Sequence, residues 1–308
     1  MKNMFQKLDF PNRITIEITN RCNVSCTFCP RQTVDMPLGD MDEKTYKKII
    51  DEAAQHLPIK LVLFFRGESV LHPQFLDFAT YAKEKGIGPI QFASNGKALT
   101  EELADKMIEI GIDFVSFSLD TIDKELYAKS RLTGDLDLSM KHVIAFAGKC
   151  KDRRLKGLSA PTIQVSTIEL EEYMPGQEEF ICFWKQYADI VRVYYEHDDK
   201  GHFANPEVQR QFAAMAERRP CRKVFTDFLI YWNGYTALCN YDWNGYLKGF
   251  NVKDMSIKEI WDSQEYEQVR QMHYNNNFCE DIICRDCDHW RIDYVENGCL
   301  GKVYKCQA

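Results

Sequence analysis

Alternation between apolar and polar positions divides the first two thirds of this chain into strands and helices. Strand patterns, either alternating or short and wholly apolar, lie at residues 13–19, 61–65, 89–93, 114–118, 162–168 and 190–195. Helical periodicity lies between them, at residues 42–55, 73–85 and 100–110. Strands separated by helices of this length predict parallel βαβ units with right-handed crossovers.

Six such units predict an α/β fold that contains a partial (β/α)6 barrel of the TIM type. In parallel barrels the functional groups gather at the C-terminal ends of the strands. The residues that fall at those ends here are Cys22, Gly67, Ser94, Asp120, Glu169 and Glu196. Their chemical character supports this assignment of the strands.

The pattern changes at about residue 200. Residues 201–219 are polar and predicted to be helical, and a cysteine-rich tail follows, with Asn-Gly turn signals at 233–234 and 244–245. We therefore predict a barrel domain over residues 1–200 and a small C-terminal α+β domain over residues 201–308.

Composition narrows the class of protein. The chain is 45% hydrophobic and 28% charged, as soluble globular proteins are. Its net charge of −7 gives no sign of a nucleic-acid surface, and the longest apolar runs, such as 60–65, are too short to span a bilayer. Twelve cysteines without an export signal predict metal or cluster ligation in a reducing cytoplasm rather than disulfides.

Three cysteines directly after the first strand form a C-x3-C-x2-C run: Cys22, Cys26 and Cys29. Three thiolates on one loop can hold three irons of a [4Fe–4S] cluster, and the fourth iron is then open to a small molecule. A structural zinc would normally need a fourth ligand and paired C-x2-C spacing. The run, with Phe28 before its third cysteine, resembles the signature of the radical S-adenosylmethionine (SAM) enzymes.

This resemblance implies the chemistry. SAM would bind the open iron, and an electron from the cluster would cleave it to a 5′-deoxyadenosyl radical that abstracts hydrogen from a substrate carbon. The electron would come from a reductant such as a flavodoxin or a ferredoxin.

A second stretch, after the second strand, resembles the family's Gly-Gly-Glu motif. Arg66 replaces the first glycine, and Gly67 and Glu68 follow. The resemblance implies that Gly67 lets backbone carbonyls approach the amino group of SAM. The motif gives no role for Arg66.

Two further stretches match the family after the third and fourth strands. Ser94 and Asn95 open a Ser-Asn-Gly turn of the kind found near the cofactor. Ser118, Asp120 and Arg131 match an S-x-D stretch with a downstream arginine. The resemblance implies that the serine or the aspartate touches the ribose and that the arginine binds the SAM carboxylate, a task that suits a bidentate guanidinium. A surface ion pair is the alternative for Arg131.

The tail supplies a second group of cysteines. Cys221 and Cys239 bracket two strand-like runs around an Asn-Gly turn, and a hairpin would bring them together. Cys284 and Cys287 form a C-x2-C pair downstream. This arrangement resembles the auxiliary-cluster extension of radical SAM enzymes, in its shorter twitch form rather than the full SPASM form. It implies one auxiliary [4Fe–4S] cluster on these four cysteines, with a structural zinc as the alternative.

Five cysteines are left over. Cys279 could replace one of the four ligands, or Cys279, Cys299 and Cys306 could bind a further cluster, or one of them could donate hydrogen. We predict that Cys150 and Cys182 are ordinary buried thiols.

The candidates for a catalytic base or a substrate contact follow strands five and six or Cys239: Glu169, Glu196, His197 and Asp242. If the auxiliary cluster accepts an electron while a base removes a proton, an alcohol becomes a ketone. If a thiol returns hydrogen from the opposite face, the product is an epimer.

The substrate class follows from resemblance. Only 21 residues precede Cys22, which leaves no room there for a leader-peptide-binding domain. With a single auxiliary cluster and a compact size, the chain resembles the sugar and aminocyclitol dehydrogenases more than the peptide maturases, which implies oxidation of a secondary alcohol on a small molecule. The alternatives are an epimerase of a sugar or peptide and a non-catalytic Fe–S electron-transfer protein. The Gly-Glu, Ser-Asn-Gly and Arg131 features argue against an electron carrier, which needs no SAM pocket.

Overall fold

The computed structural model of this chain describes residues 5–198, 200–203, 205–215, 217–247, 249–295 and 301–306. Within these residues the strands are β1 Arg13–Ile16, β2 Lys60–Leu63, β3 Ile90–Ser94, β4 Phe114–Ser118, β5 Thr162–Glu169, β6 Ile190–Tyr195, β7 Asp227–Ile230, β8 Thr236–Ala237 and β9 Gly301–Lys305. The helices are α1 Glu43–Ala53, α2 Phe75–Glu84, α3 Glu101–Ile110, α4 Lys124–Ser130, α5 Leu136–Leu155, α6 Gln177–Trp184, α7 Pro206–Ala213, α8 Lys223–Thr226, α9 Ile257–Trp261 and α10 Gln264–Asn275.

The described strands form one sheet, in the order β8-β7-β1-β2-β3-β4-β5-β6-β9. Strands β1 to β6 are parallel and adjacent in chain order, which confirms the predicted α/β fold with a partial barrel. Side-chain oxygens begin the helices between them: Asp42 accepts from Thr45 N at 2.8 Å, and Thr100 accepts from Leu103 N at 3.2 Å.

The two faces of the sheet have different surroundings. On the convex face, apolar side chains such as Ile14, Val115 and Val191 are buried in one core with the surrounding helices. On the concave face, alternate residues of β3, β4 and β6 stay half-buried. The predicted alternation thus leaves an inner surface that a small molecule could reach.

The tail adds strands to both edges of this sheet. Strand β7 pairs in parallel with β1, with Arg13 opposite Asp227, and β8 returns antiparallel to β7. Strand β9 pairs antiparallel with β6 at the other edge. The boundary at residue 200 therefore stays a prediction, because the tail shares the barrel's sheet.

One local prediction in the tail is wrong. The first strand-like run after Cys221 begins as helix α8, not as a strand. Phe225 N donates to Arg222 O at 2.9 Å, and Thr226 Oγ1 donates to the same oxygen at 3.2 Å, so one helical turn forms before β7 begins. Among the described residues no helix is both long enough and apolar enough to span a membrane.

Candidate active site

The first three cysteines lie on the loop that follows β1, half-buried at the C-terminal end of the sheet. Cys29 N donates to Cys26 O at 3.2 Å, and Cys26 forms an isolated antiparallel bridge with Arg131. Burial raises the pKa of Cys26 to about 11 and also raises the pKa of Cys22. These thiols are therefore protonated at neutral pH unless a metal stabilises the thiolates.

Glu68 presents an unsatisfied oxygen near this loop. Its Oε2 accepts from Asn95 N at 2.8 Å, while Oε1 is buried with no hydrogen-bond partner in the described part of the chain. Burial raises the pKa of Glu68 to about 7. A buried carboxylate oxygen without a donor suits a bound cation such as an ammonium group.

Asn95 ties Glu68 to the cysteine loop. Its Nδ2 donates to Asn23 Oδ1 at 2.8 Å and lies 4.0 Å from Cys22 Sγ. Ser94 is buried beside it, and its Oγ accepts from Gly96 N at 3.0 Å. The turn after β3, the acid after β2 and the loop after β1 are thus one connected group, and these residues fit a cofactor that carries both a cluster contact and a cationic amine.

Gly67 is required for a reason that the motif did not give. A Cβ at this position would lie 2.7 Å from Arg21 O and would also collide with Thr19 O. The backbone after β1 therefore fills the space over the glycine, and Glu68 N donates to Arg21 O at 2.8 Å. The glycine lets the two loops of the site pack against each other.

Arg131 forms a buried ion pair with Asp120, so the alternative of a surface ion pair is wrong. Its Nε and Nη2 donate to Asp120 Oδ2 at 2.8 and 2.5 Å. Asp120 adopts a left-handed conformation with φ of 62°, two residues after the half-buried Ser118 at the end of β4. The ring of Phe28, which is partly exposed, lies 5.8 Å from the Arg131 guanidinium.

Arg66, which the motif left without a role, binds Glu17 in the interior. The same guanidinium donates to the main-chain oxygen of Trp243 at 2.9 Å and lies 3.9 Å from the ring of Tyr231. Sequence reasoning missed this contact. A signal was present, because Glu17 stands between Ile16 and Ile18 and a charge in such a buried run needs a partner.

The four tail cysteines line one cavity: Cys221, Cys239, Cys284 and Cys287. Cys221 lies two residues before α8, and Cys239 lies in the loop after β8. Cys284 lies in the turn at Ile283–Arg285, and Cys287 follows that turn. Burial raises the pKa of Cys221, Cys239 and Cys284 and raises the pKa of Cys287 to about 12. Buried thiols of this kind become thiolates when they bind metal.

Donors and cations around this cavity favour bound thiolates. Tyr241 N donates to Cys239 Sγ at 3.4 Å, and His289 N donates to Cys287 Sγ at 3.3 Å. Arg218 also lines the cavity. Among the described residues no three His, Cys, Asp or Glu side chains converge closely enough to hold a single metal ion, whereas a cluster spans a wider gap between sulfurs.

Of the other tail cysteines, the two that the structure describes, Cys279 and Cys306, do not line this cavity. Cys279 is exposed, with its Sγ 3.0 Å from Tyr246 Oη. Cys306 is half-buried beyond β9, and Cys299 lies outside the described residues. Cys150 is buried on α5 as predicted, but Cys182 is exposed, because α6 turns Ile181 and Trp184 to the core instead.

Two of the candidate bases lie at the ends of β5 and β6. Glu169 is nearly buried and accepts from Asn205 Nδ2 at 2.8 Å and Lys302 Nζ at 3.1 Å. Its carboxylate is therefore already bound on both oxygens. Glu196 is exposed.

The other two candidates lie beside the four-cysteine cavity. His197 Nε2 is 3.5 Å from Tyr241 Oη, and Tyr241 lines the cavity. Asp242 is buried and accepts from Leu238 N at 3.0 Å and Tyr246 N at 2.9 Å, while burial raises its pKa. These bonds give Asp242 a role in holding the loop after β8.

Comparison with known families agrees with this geometry. The family model of the Radical SAM superfamily matches residues 16–163, and the model of the SPASM iron–sulfur cluster-binding domain matches residues 221–288. The chain belongs to the radical SAM superfamily and has a C-terminal SPASM domain. It binds [4Fe–4S] clusters and S-adenosylmethionine, as the resemblance of its motifs implied. The tail match includes Cys279 and ends before Cys299 and Cys306.

Several individual proteins are similar along most of this chain. The "Tungsten-containing aldehyde ferredoxin oxidoreductase cofactor-modifying protein" of Pyrococcus furiosus is 25% identical, over 94% of this chain and 92% of that protein. The crystal structure of BtrN in complex with AdoMet and 2-DOIA superposes with a TM-score of 0.60 at 15% identity, over 92% of this chain and 94% of BtrN. The crystal structure of Streptococcus suis SuiB bound to precursor peptide SuiA superposes with a TM-score of 0.70 at 14% identity, over 95% of this chain and 75% of SuiB. Structural identities this low show a shared fold alone.

Proposed function

We propose that this radical SAM enzyme is an oxidoreductase that oxidises a secondary alcohol of a sugar or aminocyclitol-like small molecule. The observation that carries the proposal is the concave face of the sheet, where β4, β5 and β6 present several neutral hydrogen-bonding side chains. Gln164 Nε2 donates there to Ser116 Oγ at 2.8 Å and to Tyr194 Oη at 3.3 Å. Such groups match the hydroxyls of a polyol better than an apolar substrate.

The proposed cofactor site uses the residues around the first cysteine loop. Cys22, Cys26 and Cys29 would hold the cluster, and Glu68 would bind the amino group of SAM through its unpartnered Oε1. Once bound, SAM supplies a 5′-deoxyadenosyl radical that abstracts a hydrogen atom from the substrate carbon. A reductant such as a flavodoxin or a ferredoxin would deliver the electron.

The remaining residues of this site would position the adenosyl group. The resemblance assigns Ser118 and Asp120 to the ribose and Arg131 to the SAM carboxylate. In the structure Asp120 and Arg131 are already fixed to each other, so the pair would present one rigid polar edge. Phe28, Gly67, Ser94 and Asn95 would shape the loops on either side.

The auxiliary site would complete the oxidation. Conversion of an alcohol to a ketone removes one hydrogen atom, one proton and one further electron. Cys221, Cys239, Cys284 and Cys287 would hold the cluster that accepts this electron. Of the candidate bases we favour His197 for the proton, because Glu169 and Asp242 already accept hydrogen bonds from fixed donors.

An epimerase of a sugar or peptide is the second candidate. The exposed thiol of Cys279 favours it, because an exposed thiol can return a hydrogen atom to a substrate radical. The SuiB structure is that of a protein bound to a precursor peptide, so this fold can accommodate a peptide. A non-catalytic electron carrier is the third candidate. It would not bind SAM, so the buried Oε1 of Glu68 would have no ligand to contact.

The test uses anaerobically reconstituted, reduced holoprotein and deuterium-labelled polyols. We expect 5′-deoxyadenosine to form and to carry the label of one carbon, and the product to gain a carbonyl. An epimerase would instead give a product of unchanged composition that takes up solvent deuterium. Cys22→Ala, Cys26→Ala or Cys29→Ala should abolish SAM cleavage while most auxiliary-cluster iron stays bound. If cluster-loaded wild-type protein does not cleave SAM, the proposed enzymatic function is ruled out.

A further inference from the structure

A row of three side chains crosses the concave face from the proposed cofactor site to β6. The register places Ser118 opposite Ser166 and Ser166 opposite Arg192. Their chain neighbours Phe117, Val165 and Val191 are buried in the helix-covered core, so the row points to the concave side. Adjacent strands lie about 4.8 Å apart, which puts the Cα atoms of Ser118 and Arg192 roughly 10 Å apart.

Arg192 has no carboxylate partner in the part of the chain that the structure describes. Its guanidinium lies 4.5 Å from the ring of Tyr194, and its Nε is buried without an acceptor. Arg66, Arg131 and Arg154 of the barrel each bind a carboxylate, whereas half-buried Arg31, on the cysteine loop, also has an Nε without an acceptor among the described residues. A buried guanidinium donor without an acceptor is costly unless a ligand supplies one.

The surroundings of Arg192 leave its charge uncompensated. Its neighbours on this face, Gln164, Ser166 and Tyr194, are neutral, and Glu17, directly after β1, is neutralised by Arg66. This local positive charge lies in a chain whose net charge is −7. The planar fork of an arginine held against an aromatic ring is suited to bidentate binding of a carboxylate or phosphate.

We infer that Arg192 binds an anionic group of the substrate, a carboxylate or a phosphate, while the reacting carbon lies near Ser118. The substrate class then narrows to an acidic or phosphorylated polyol. The polyol part rests on the proposed function, whereas the anion site at Arg192 does not.

The anion site can be tested without turnover. Full-length holoprotein is treated with phenylglyoxal, which modifies free guanidinium groups, in chloride, acetate or phosphate at equal ionic strength, and the peptides are quantified by mass spectrometry. We expect acetate or phosphate to slow modification of Arg192 several-fold relative to chloride. Exposed Arg210 on α7 serves as the control and should react at nearly the same rate in all three salts. The anion that protects Arg192 more strongly shows whether the site prefers a carboxylate or a phosphate. Equal rates of modification in all three salts, or no modification of Arg192, would overturn the inference.

The substrate consequence is tested separately. A neutral sugar, its sugar acid and its sugar phosphate are compared as substrates for SAM-dependent oxidation. We expect one of the anionic forms to have a KM at least about tenfold lower, and Arg192→Gln to remove this preference with little change in kcat. Arg192→Lys should keep part of the preference for the anionic substrate, because the positive charge remains. The preference should be weaker than in the wild type, because lysine lacks the planar fork of arginine. Anion protection of Arg192 without oxidation of any polyol would refute the proposed function and leave the anion site standing. An anionic preference that persists in Arg192→Gln would refute the site.

Discussion

Arg66 binds Glu17 through two hydrogen bonds, from Nε to Oε2 at 2.6 Å and from Nη2 to Oε1 at 2.8 Å. Both side chains are buried. Because the guanidinium also binds the main chain of Trp243 and covers the ring of Tyr231, one side chain joins the first strand, the proposed SAM-binding loop and the SPASM domain.

The first prediction concerns this pair. Arg66→Met should lower the free energy of unfolding by about 3–5 kcal/mol, because Glu17 is left buried and unpaired. Urea denaturation of the holoprotein measures the change. The double variant Glu17→Gln with Arg66→Met should recover much of the loss. A double variant as unstable as the single one would mean that packing on Tyr231, not charge, explains the effect.

Glu68 makes stability depend on pH. Burial raises its pKa from 4.5 to about 7, so the folded state holds a proton that the unfolded state has lost between these values. The free energy of unfolding is therefore undiminished by Glu68 below the unfolded pKa of 4.5. It falls as the pH rises from there to about 7, where the folded carboxyl also loses its proton. Glu68→Gln should remove this dependence and raise the unfolding free energy by up to about 3 kcal/mol at about pH 8. Denaturation without SAM at a series of pH values measures it, and a pH-independent difference would contradict the titration.

Gly67→Ala should destabilise the site. A methyl group there meets the backbone oxygens of Thr19 and Arg21, and backbone cannot move aside as a flexible side chain can. We expect a loss of at least about 1 kcal/mol in thermal unfolding and weaker retention of the first cluster. Gly148→Ala is the matched control, because Gly148 lies on α5 with open space around it, and it should stabilise by about 0.5–1 kcal/mol. Equal melting temperatures of Gly67→Ala and Gly148→Ala would argue against a close contact between position 67 and the backbone after β1.

The ligands of the auxiliary cluster are tested by iron content. Cys284→Ala should lose about four irons per chain, since all four cavity thiolates are needed for a stable cluster. Cys279→Ala should keep its iron, because Cys279 is exposed beside Tyr246 and does not line the cavity. Iron and acid-labile sulfide assays measure both. An equal loss from Cys279→Ala would place Cys279 among the ligands.

The sequence predicted the barrel strands because their patterns are local. Residues 114–118 and 190–195 were predicted as strands with the bounds that the structure shows, since each is a short run between turns or helix ends. The residues of the cofactor motifs were also found locally, by their spacing after strands.

Contacts between distant parts of the chain were not predicted. Nothing in residues 227–230 or 301–305 indicates that they pair with β1 and β6, because pairing partners are chosen by the folded topology. The Arg66–Glu17 pair joins residues of two strand ends, and only the sheet brings them together. Arg192 was not predicted as a binding residue, because the sequence does not show which side chains surround it. Its unpaired charge is visible only in the folded structure, where no carboxylate of the described residues contacts it.

The placement of β7 and β9 has a consequence for how the protein is made. Strand β1 is synthesised early, but its outer neighbour begins only at Asp227, and the outer neighbour of β6 begins only at Gly301. A nascent chain on the ribosome therefore carries a sheet with two open edges until β7 and β9 emerge, and open edges invite pairing with other chains. Slow synthesis at low temperature, with chaperones present, should raise the yield of unaggregated protein before any cluster is inserted.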